Sequence, residues 1–217
     1  LCLPASEIQH FRGNQIVVQD HIGRLQRPHG AKREQFRIAG TSTDQRHRIR
    51  GVYLLTRETA DTTALCAGAE AALRGGVRLL QYRDKSGDAR RHHEQARALR
   101  ESTRRHGALL IVNDDVALAS DCGADGVHLP CAQLMQLEQR PDLPLVAASC
   151  HNAPELARAA ALELDFAVLG PVRETASHPG VSGLGWARCA QLLENISLPV
   201  FALGGMRRED VEAAQQA

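Results

Sequence analysis

The stretch LIVNDDVALASDCGADGVHLP, residues 110 to 130, decides the fold that the sequence predicts. It continues an apolar strand, Leu109–Val112, and it ends in a second short strand that stops at His128 and Pro130. An Ala- and Leu-rich helix and a Gly-containing turn lie between the two strands. An apolar strand without polar alternation is typical of a parallel sheet covered on both faces, and a helical return places the next strand parallel to it. The stretch therefore predicts a βα repeat with polar side chains at the strand ends, where such folds carry their chemistry.

The same unit recurs from Arg50 onward. Apolar runs predict seven strands, at residues 51–56, 77–82, 109–112, 126–129, 145–148, 166–169 and 199–203. Helical periodicity covers residues 60–74, 89–105, 154–164 and 186–194. Seven such units indicate an α/β fold, either a (β/α)₈ TIM barrel that lacks its last strand or an open doubly wound sheet. The barrel is favoured for residues 50–217, because polar residues that end nearly every strand can then converge on one mouth. Strand eight is missing unless residues 14–18 replace it.

Composition excludes several classes of protein. The chain has 217 residues, 43% of them hydrophobic and 24% charged, which suits a domain with one sizeable core. No apolar run approaches the roughly 20 residues of a membrane helix, and the first residues lack the features of a signal peptide. Six scattered cysteines lack the spacing of zinc ligands, so they predict free thiols in a reducing cytoplasm rather than disulfides.

The first 49 residues differ from the rest of the chain. Within residues 1–50, nine Lys and Arg stand against four Asp and Glu. This segment predicts a poorly structured extension or linker with little core of its own, in which only Gln15 to Val18 resembles a strand. A basic arm that binds nucleic acid is the alternative. It is not favoured, because aromatic residues are not interleaved with the charges and no nucleic-acid motif is present.

Polar residues at the end of the second predicted strand indicate an anion site. Alternation along Gln81-Tyr82-Arg83-Asp84-Lys85 turns Gln81, Arg83 and Lys85 to the same side. One amide and two cations on one face suit a polyanion such as a diphosphate. The alternative is that these charges are simply solvated.

The third predicted strand ends in an amide and two carboxylates. Asn113 and Asp114 have the chemistry to bind Mg²⁺ beside a diphosphate. The alternative is that Asp114 or Asp115 caps the next helix, and the two acids could divide these roles.

Three further strand ends carry candidate site residues. Ser149 could donate to a phosphate oxygen, and His151 titrates in the range that acid/base catalysis uses. The long polar loop after residue 169 is typical of a segment that closes over substrate. Gly204 and Gly205 follow the seventh strand, where missing side chains let backbone N–H groups approach a phosphate.

Taken together, these motifs resemble one family. In order along the chain they are YLLT (53–56), LLQYRDK (79–85), LIVNDD (110–115), GADGVHL (123–129), ASCHN (148–152), VLGPVRET (168–175), GLGW (183–186) and LPVFALGGM (198–206). Their order and spacing are similar to those of the thiamine phosphate synthase and TenI superfamily. The HPG and GLGW elements are most similar to the version that is fused behind a Nudix hydrolase domain, which implies a fused or partner Nudix domain.

The resemblance implies a TIM-barrel enzyme that joins a hydroxymethylpyrimidine diphosphate to a hydroxyethylthiazole phosphate and releases diphosphate. It implies Mg²⁺ as cofactor, with Asp114 as its ligand. By motif match, the pyrimidine diphosphate is held by Gln81, Arg83, Lys85 and Asn113, the diphosphate by Ser149, the thiazole phosphate side by Thr175, and the phosphate by Gly204 and Gly205. Lys85 and Ser149 would assist departure of the diphosphate. The implied partners are small phosphorylated molecules, and a homo-oligomer is possible in such a family.

Three features depart from the family's synthases. A second Mg²⁺ ligand position falls on neutral Gln133, the lysine expected in the polar loop is replaced by His178, and strand eight is missing. These departures leave two alternatives open. One is a TenI-like thiazole tautomerase, which needs no metal and would use His151 as its acid/base catalyst. The other is a barrel that binds thiazole phosphate without turnover.

Overall fold

A computed structural model of the chain describes residues 15–19, 49–175, 180, 182–207, 209–210 and 213–214. It contains eight strands within these residues: β1 (Gln15–Gln19), β2 (Val52–Leu55), β3 (Leu79–Tyr82), β4 (Leu109–Asn113), β5 (Gly126–Leu129), β6 (Leu145–Cys150), β7 (Phe166–Leu169) and β8 (Val200–Ala202). The helices are α1 (Thr62–Arg74), α2 (Ala89–Arg105), α3 (Val116–Asp121), α4 (Cys131–Gln136), α5 (Ala153–Ala161) and α6 (Gly185–Leu193). The seven predicted strands are confirmed as β2 to β8.

The sheet is a closed barrel whose strands follow one another in chain order. Strands β2 to β8 pair parallel with one another in chain order. The eighth place is taken by β1, which pairs antiparallel with both β2 and β8. The TIM-like barrel is therefore confirmed, and its missing parallel strand is replaced by a segment from the N-terminal extension. Ile49, the last residue of that extension, is buried in the core, and its other residues lie outside those that the structure describes.

Two apolar clusters flank the barrel sheet, because successive strand residues point to opposite faces. The inner cluster fills the barrel and is centred on Tyr53, Phe166 and Phe201, whose rings lie 5.3 to 5.5 Å apart. The outer cluster packs the helices onto the sheet and includes Leu54 and Leu80. Strands β3 to β7 are buried on both faces, which explains their continuous apolar runs in the sequence.

Buried ion pairs stabilise the amino-terminal ends of two strands. Asp165, just before β7, accepts hydrogen bonds from Arg140 at 2.6 Å and from the backbone N–H of Val146 in β6 at 2.7 Å. Asp125, just before β5, accepts in the same way from Arg100 and from the N–H of Leu110. These groups lie at the end of the barrel that serves stability rather than catalysis.

Side-chain caps determine where several helices begin. Asp61, Asp88, Asp115 and Asn152 each accept a hydrogen bond from a backbone N–H of the first helical turn. Asp115 therefore takes the capping role that the sequence left open between the two acids. Among the described helices, none is long and apolar enough to cross a membrane. The described cysteines are free thiols.

Candidate active site

A cavity of about 680 Å³ opens at the carboxyl ends of the strands. This volume lies in the range of small-molecule sites. Nine of the residues singled out from the sequence line it: Gln81, Arg83, Lys85, Asn113, Ser149, His151, Thr175, Gly204 and Gly205. The cavity therefore brings together groups from five different strand ends.

Strand register explains which side chains reach the cavity from the sheet. In β3, Leu79 belongs to the inner cluster and Leu80 to the outer one, so Gln81 points inward again. Ser149 follows Ala147 of the inner cluster in β6 by the same rule. These polar groups therefore lie as a layer above the apolar filling of the barrel.

The segment after β3 is anchored by Asp84. Its carboxylate, whose side chain is 1% exposed, accepts two hydrogen bonds from Arg91 in α2, at 2.9 and 3.2 Å, and one from the backbone N–H of Ser86. Because Asp84 faces α2, its neighbours Arg83 and Lys85 face the cavity. The anchor thus fixes two cations that would otherwise lie on a free loop.

The Asp84 anchor predicts a stability change in acid. Burial alone raises the pKa of Asp84, but hydrogen bonds from Arg91 and Ser86 outweigh it and lower this pKa to about 2. A lowered pKa contributes stability above the ordinary value near 4 that is lost as pH falls toward 2. We expect the free energy of unfolding of the wild type to fall by about 2 kcal/mol more than that of D84N between pH 5 and pH 2. Urea unfolding across this range measures it, and parallel pH profiles would contradict the assignment.

A buried hydrogen-bonded chain runs beneath the cavity from β3 to β6. Gln81 Nε2 donates to the Tyr53 hydroxyl at 2.7 Å, and that hydroxyl lies 3.5 Å from His128 Nδ1. His128 Nε2 lies 2.8 Å from Ser149 Oγ. Burial lowers the pKa of His128 to about 3, and the positive charge of Arg83 acts in the same direction. The imidazole is therefore neutral at physiological pH.

The donor and acceptor groups of these four side chains determine which way each hydrogen bond runs. An amide nitrogen only donates, so Tyr53 accepts from Gln81 and turns its own proton toward His128 Nδ1. A neutral imidazole carries one N–H, which then lies on Nε2 and donates to Ser149 Oγ. The Ser149 hydroxyl can therefore donate its own hydrogen bond to a ligand. The arrangement thus prepares Ser149 as a donor, which suits an anionic oxygen.

Removal of the Tyr53 hydroxyl tests this series of hydrogen bonds. In Y53F the Gln81 amide loses its acceptor, which costs about 1–3 kcal/mol, so we expect roughly 10-fold weaker binding of the ligand that contacts Gln81 and Ser149. Y82F is the matched control. The Tyr82 hydroxyl donates to Gln95 at 3.0 Å and lies outside the cavity lining, so its loss should lower stability but leave affinity unchanged. Calorimetric titration measures both variants, and unchanged affinity in Y53F would exclude the proposed direction.

The opposite wall of the cavity is a glycine turn after β8. Gly204 has a φ of +100°, and a Cβ there would lie 2.6 Å from the Cα of Pro171. Gly205 is as tightly packed, against the backbone of Glu174. Glycine is therefore required both by backbone conformation and by the close approach of the loop after β7. Thr175 lines the cavity beside this turn, whereas His178 lies outside the described residues.

His151 occupies the cavity rim after β6. Its side chain is 51% exposed, and its Nδ1 lies 2.9 Å from Glu155 Oε2 in the first turn of α5. Glu155 also accepts from the Asn152 side-chain amide, and its own backbone N–H donates to Asn152 Oδ1, so Asn152 caps α5 as the sequence indicated, although the Glu155 side chain accepts from the backbone N–H of His151 and not from that of Asn152. A histidine oriented by a carboxylate can exchange protons with a bound ligand.

Comparisons with known proteins place this geometry in a family. A family model described as thiamine monophosphate synthase matches residues 52–217. The chain belongs to the thiamine monophosphate synthase family. A thiamine-phosphate synthase of Thioalkalivibrio sulfidiphilus is 42% identical over 176 residues, which cover 79% of this chain and 83% of that protein. One from Thiobacillus denitrificans is 46% identical over 160 residues, or 72% of this chain and 76% of that protein.

A solved structure shares the barrel of this thiamine monophosphate synthase family member. The thiamine phosphate pyrophosphorylase of Pyrococcus furiosus superposes with a TM-score of 0.60 at 26% identity, over 70% of this chain and 74% of that chain. The resemblance stated from the motifs is thereby confirmed at the level of family and fold.

The residues that follow β4 carry the oxygen atoms that a Mg²⁺ of this family would need. Asp114 is exposed, and one of its carboxylate oxygens accepts a hydrogen bond from the Gln133 amide. Asp115 is unsuited as a second ligand, because its carboxylate caps α3 through Leu118 N–H at 2.8 Å. Mg²⁺ is commonly held by one or two carboxylates together with substrate phosphates and water. Asp114 is not among the residues that line the cavity, but it directly follows Asn113, which is, so the pair fits a Mg²⁺ that is held largely by a diphosphate.

Two cavity residues, Tyr53 and His128, were missed as functional candidates from the sequence. Both lie in apolar strands and were interpreted only as strand residues. The signal in the sequence is a polar side chain within an apolar strand, whereas the register that turns both side chains inward is seen only in the packed barrel. His128 lies near the carboxyl end of β5, where an inward polar group indicates a site in a barrel, whereas Tyr53 lies deeper, as the second residue of β2, and contacts the site residue Gln81.

Proposed function

We propose that the chain is a thiamine phosphate synthase that joins a hydroxymethylpyrimidine diphosphate to a hydroxyethylthiazole phosphate and releases diphosphate. One observation carries the proposal: a single cavity has cations on one wall, at Arg83 and Lys85, and the glycine turn Gly204–Gly205 on another. Strands β3 and β8 lie three places apart around the barrel, so the cations and the glycine turn would each contact a different phosphorylated substrate. The curated relatives named thiamine-phosphate synthase support this reaction.

The proposed roles of the chain's residues follow from their positions. Gln81 orients the pyrimidine, while Arg83 and Lys85 neutralise charge that develops on the departing diphosphate. Ser149 donates its hydroxyl proton to a diphosphate oxygen. Thr175 and the glycine turn hold the thiazole phosphate, and His178, three residues after Thr175 in the sequence, would be a further substrate-binding residue.

Asp114 and Asn113 would hold Mg²⁺, which when bound supplies positive charge to the diphosphate. Fixed cations and a metal are sufficient for such a reaction, because departure of the diphosphate needs electrostatic stabilisation rather than a nucleophile from the protein. A cytoplasmic location, a fused or partner Nudix hydrolase domain and a homo-oligomer belong to the same proposal as its finer predictions.

If Asp114 binds Mg²⁺, substitution of Asp114 and substitution of its neighbour Asp115 should have different effects on activity. We expect diphosphate release to require both substrates and Mg²⁺, and D114N to lower activity by about 10²–10³-fold. D115N is the matched control, because asparagine caps a helix nearly as well as aspartate and its position is not expected to bind metal. A D114N variant with full Mg²⁺-dependent activity would exclude Asp114 as ligand.

The tautomerase alternative rests on the pairing of His151 with Glu155 at the cavity rim. It leaves the paired cations Arg83 and Lys85 without a role, so it is the less favoured activity. A chain that exchanges the thiazole's ring proton, loses that exchange in H151A and forms no diphosphate would establish it. Binding of thiazole phosphate with neither reaction would identify a non-catalytic barrel.

A further inference from the structure

Three side chains with different metal-binding atoms meet at the cavity rim. Cys131 is the first residue of α4, His151 follows β6, and Glu155 lies in the first turn of α5. Their ligand atoms, a thiol sulfur, an imidazole nitrogen and a carboxylate oxygen, all lie within 4.8 Å of one another. The three residues come from separate elements, so sequence spacing alone gives no sign of the cluster.

The carboxylate of the cluster is held in place by groups outside it. Glu155 Oε1 accepts from the Asn152 amide at 2.7 Å, and Oε2 accepts from the backbone N–H of His151 at 2.6 Å. The Glu155 side chain is only 14% exposed. Partners of this kind orient metal ligands before the metal binds, and their loss typically costs about 10- to 100-fold in affinity.

We propose that Cys131, His151 and Glu155 form a binding site for a borderline-soft divalent cation, and that the ion it binds is Zn²⁺. A thiolate and an imidazole favour Zn²⁺, whereas Mg²⁺ takes oxygen ligands. Three protein ligands with a fourth position left open are the arrangement of zinc sites that exchange a water or substrate atom. Cys131 and His151 both line the cavity, so the open position faces it. The site is separate from the Mg²⁺ position proposed at Asp114.

The observed spacing suits a tetrahedral ion. Zinc lies about 2.0 to 2.3 Å from such ligands, which places tetrahedral ligand atoms roughly 3.3 to 3.8 Å from one another. The His151 and Glu155 atoms are 2.9 Å apart and the whole cluster spans at most 4.8 Å, so small side-chain rotations are sufficient. Binding converts the Cys131 thiol to a thiolate, and the displaced proton goes to solvent.

Direct metal binding tests the site without reference to the proposed synthase reaction. The full chain is stripped with chelator and titrated with Zn²⁺ in competition with a chromophoric chelator, at a fixed Mg²⁺ concentration. We expect C131S to lose one equivalent of bound Zn²⁺, or to bind it about 100-fold more weakly, and N152A to bind it about 10-fold more weakly. C122S is the matched control, because Cys122 is a half-buried thiol at the end of α3 that lies outside the cluster.

A second readout distinguishes metal bound at this cluster from metal bound elsewhere, for example at the His and Cys residues of the N-terminal extension. Co²⁺ added in place of Zn²⁺ should give a thiolate-to-metal charge-transfer band in the wild type and in C122S but not in C131S. Urea unfolding of each variant shows whether the fold is retained. A folded C131S that binds as much Zn²⁺ as the wild type, with equal affinity, would overturn the proposal. So would a Co²⁺ spectrum of the wild type without a thiolate band.

Discussion

R83M is expected to lower kcat/KM for thiamine phosphate formation by about 10²–10³-fold, which is the typical cost of removing one preorganised charge at a reacting centre. Arg83 lines the cavity, and the Asp84 anchor holds its backbone segment in place. Its backbone N–H also donates to Thr56 Oγ1 at 3.0 Å, so the segment keeps its position when only the guanidinium is lost. The defect should therefore appear in the reaction rather than in folding.

R97M is the matched control for this substitution. Arg97 is exposed on α2 and does not line the cavity, so its loss should leave kcat/KM unchanged. Steady-state kinetics with the pyrimidine diphosphate as the varied substrate measures both variants. Activity of R83M within about threefold of that of R97M would contradict the assignment of the β3 wall as the diphosphate site.

D165A is expected to lower the free energy of unfolding by about 3–5 kcal/mol, the usual cost of leaving one partner of a buried ion pair uncompensated. Asp165 is 3% exposed, and a single one of its oxygens accepts from both Arg140 and the Val146 N–H. Its loss removes the carboxylate partner of Arg140, which still donates to the Pro144 carbonyl at 3.3 Å, and leaves the Val146 N–H without its acceptor at the amino-terminal end of β6. Urea unfolding measures the change.

Asp121 supplies the control for the stability prediction. It is an exposed residue at the end of α3, so D121A should change the free energy of unfolding by no more than about 0.5 kcal/mol. KM should be unchanged in folded D165A, because Asp165 lies at the opposite end of the barrel from the cavity. A loss below about 1 kcal/mol in D165A would show that the buried pair contributes little net stability.

The bounds of helices and strands were predicted well where caps and hydrophobic periodicity mark both ends of the element in the sequence. Helix α2 spans Ala89–Arg105 as its periodicity predicted, because Asp88 caps it and no proline interrupts it. Strands β5 and β7 also match their apolar runs. The sequence raised residues 14–18 as a replacement for strand eight, and β1 occupies that place, but the local pattern did not decide it. The antiparallel pairing of β1 with β2 and β8 is a long-range contact that local pattern does not encode.

Only some of the cavity residues could be predicted, because the sequence shows which side chains point inward in some strands but not in others. The segment after β3 has alternating polar residues, so the common orientation of Arg83 and Lys85 toward the cavity could be predicted and is confirmed by its lining. Tyr53 and His128 lie in strands buried on both faces, where a period of two shows no polar contrast. Which of their neighbours point inward therefore became visible only with the packed barrel.

Formation of thiamine phosphate by the purified chain tests the central claim most directly. The two phosphorylated substrates are supplied with Mg²⁺, and the product is identified by mass spectrometry alongside the released diphosphate. We predict equimolar thiamine phosphate and diphosphate, at a rate that falls strongly without Mg²⁺. A folded chain that binds both substrates in this cavity, yet forms neither product, would contradict the account.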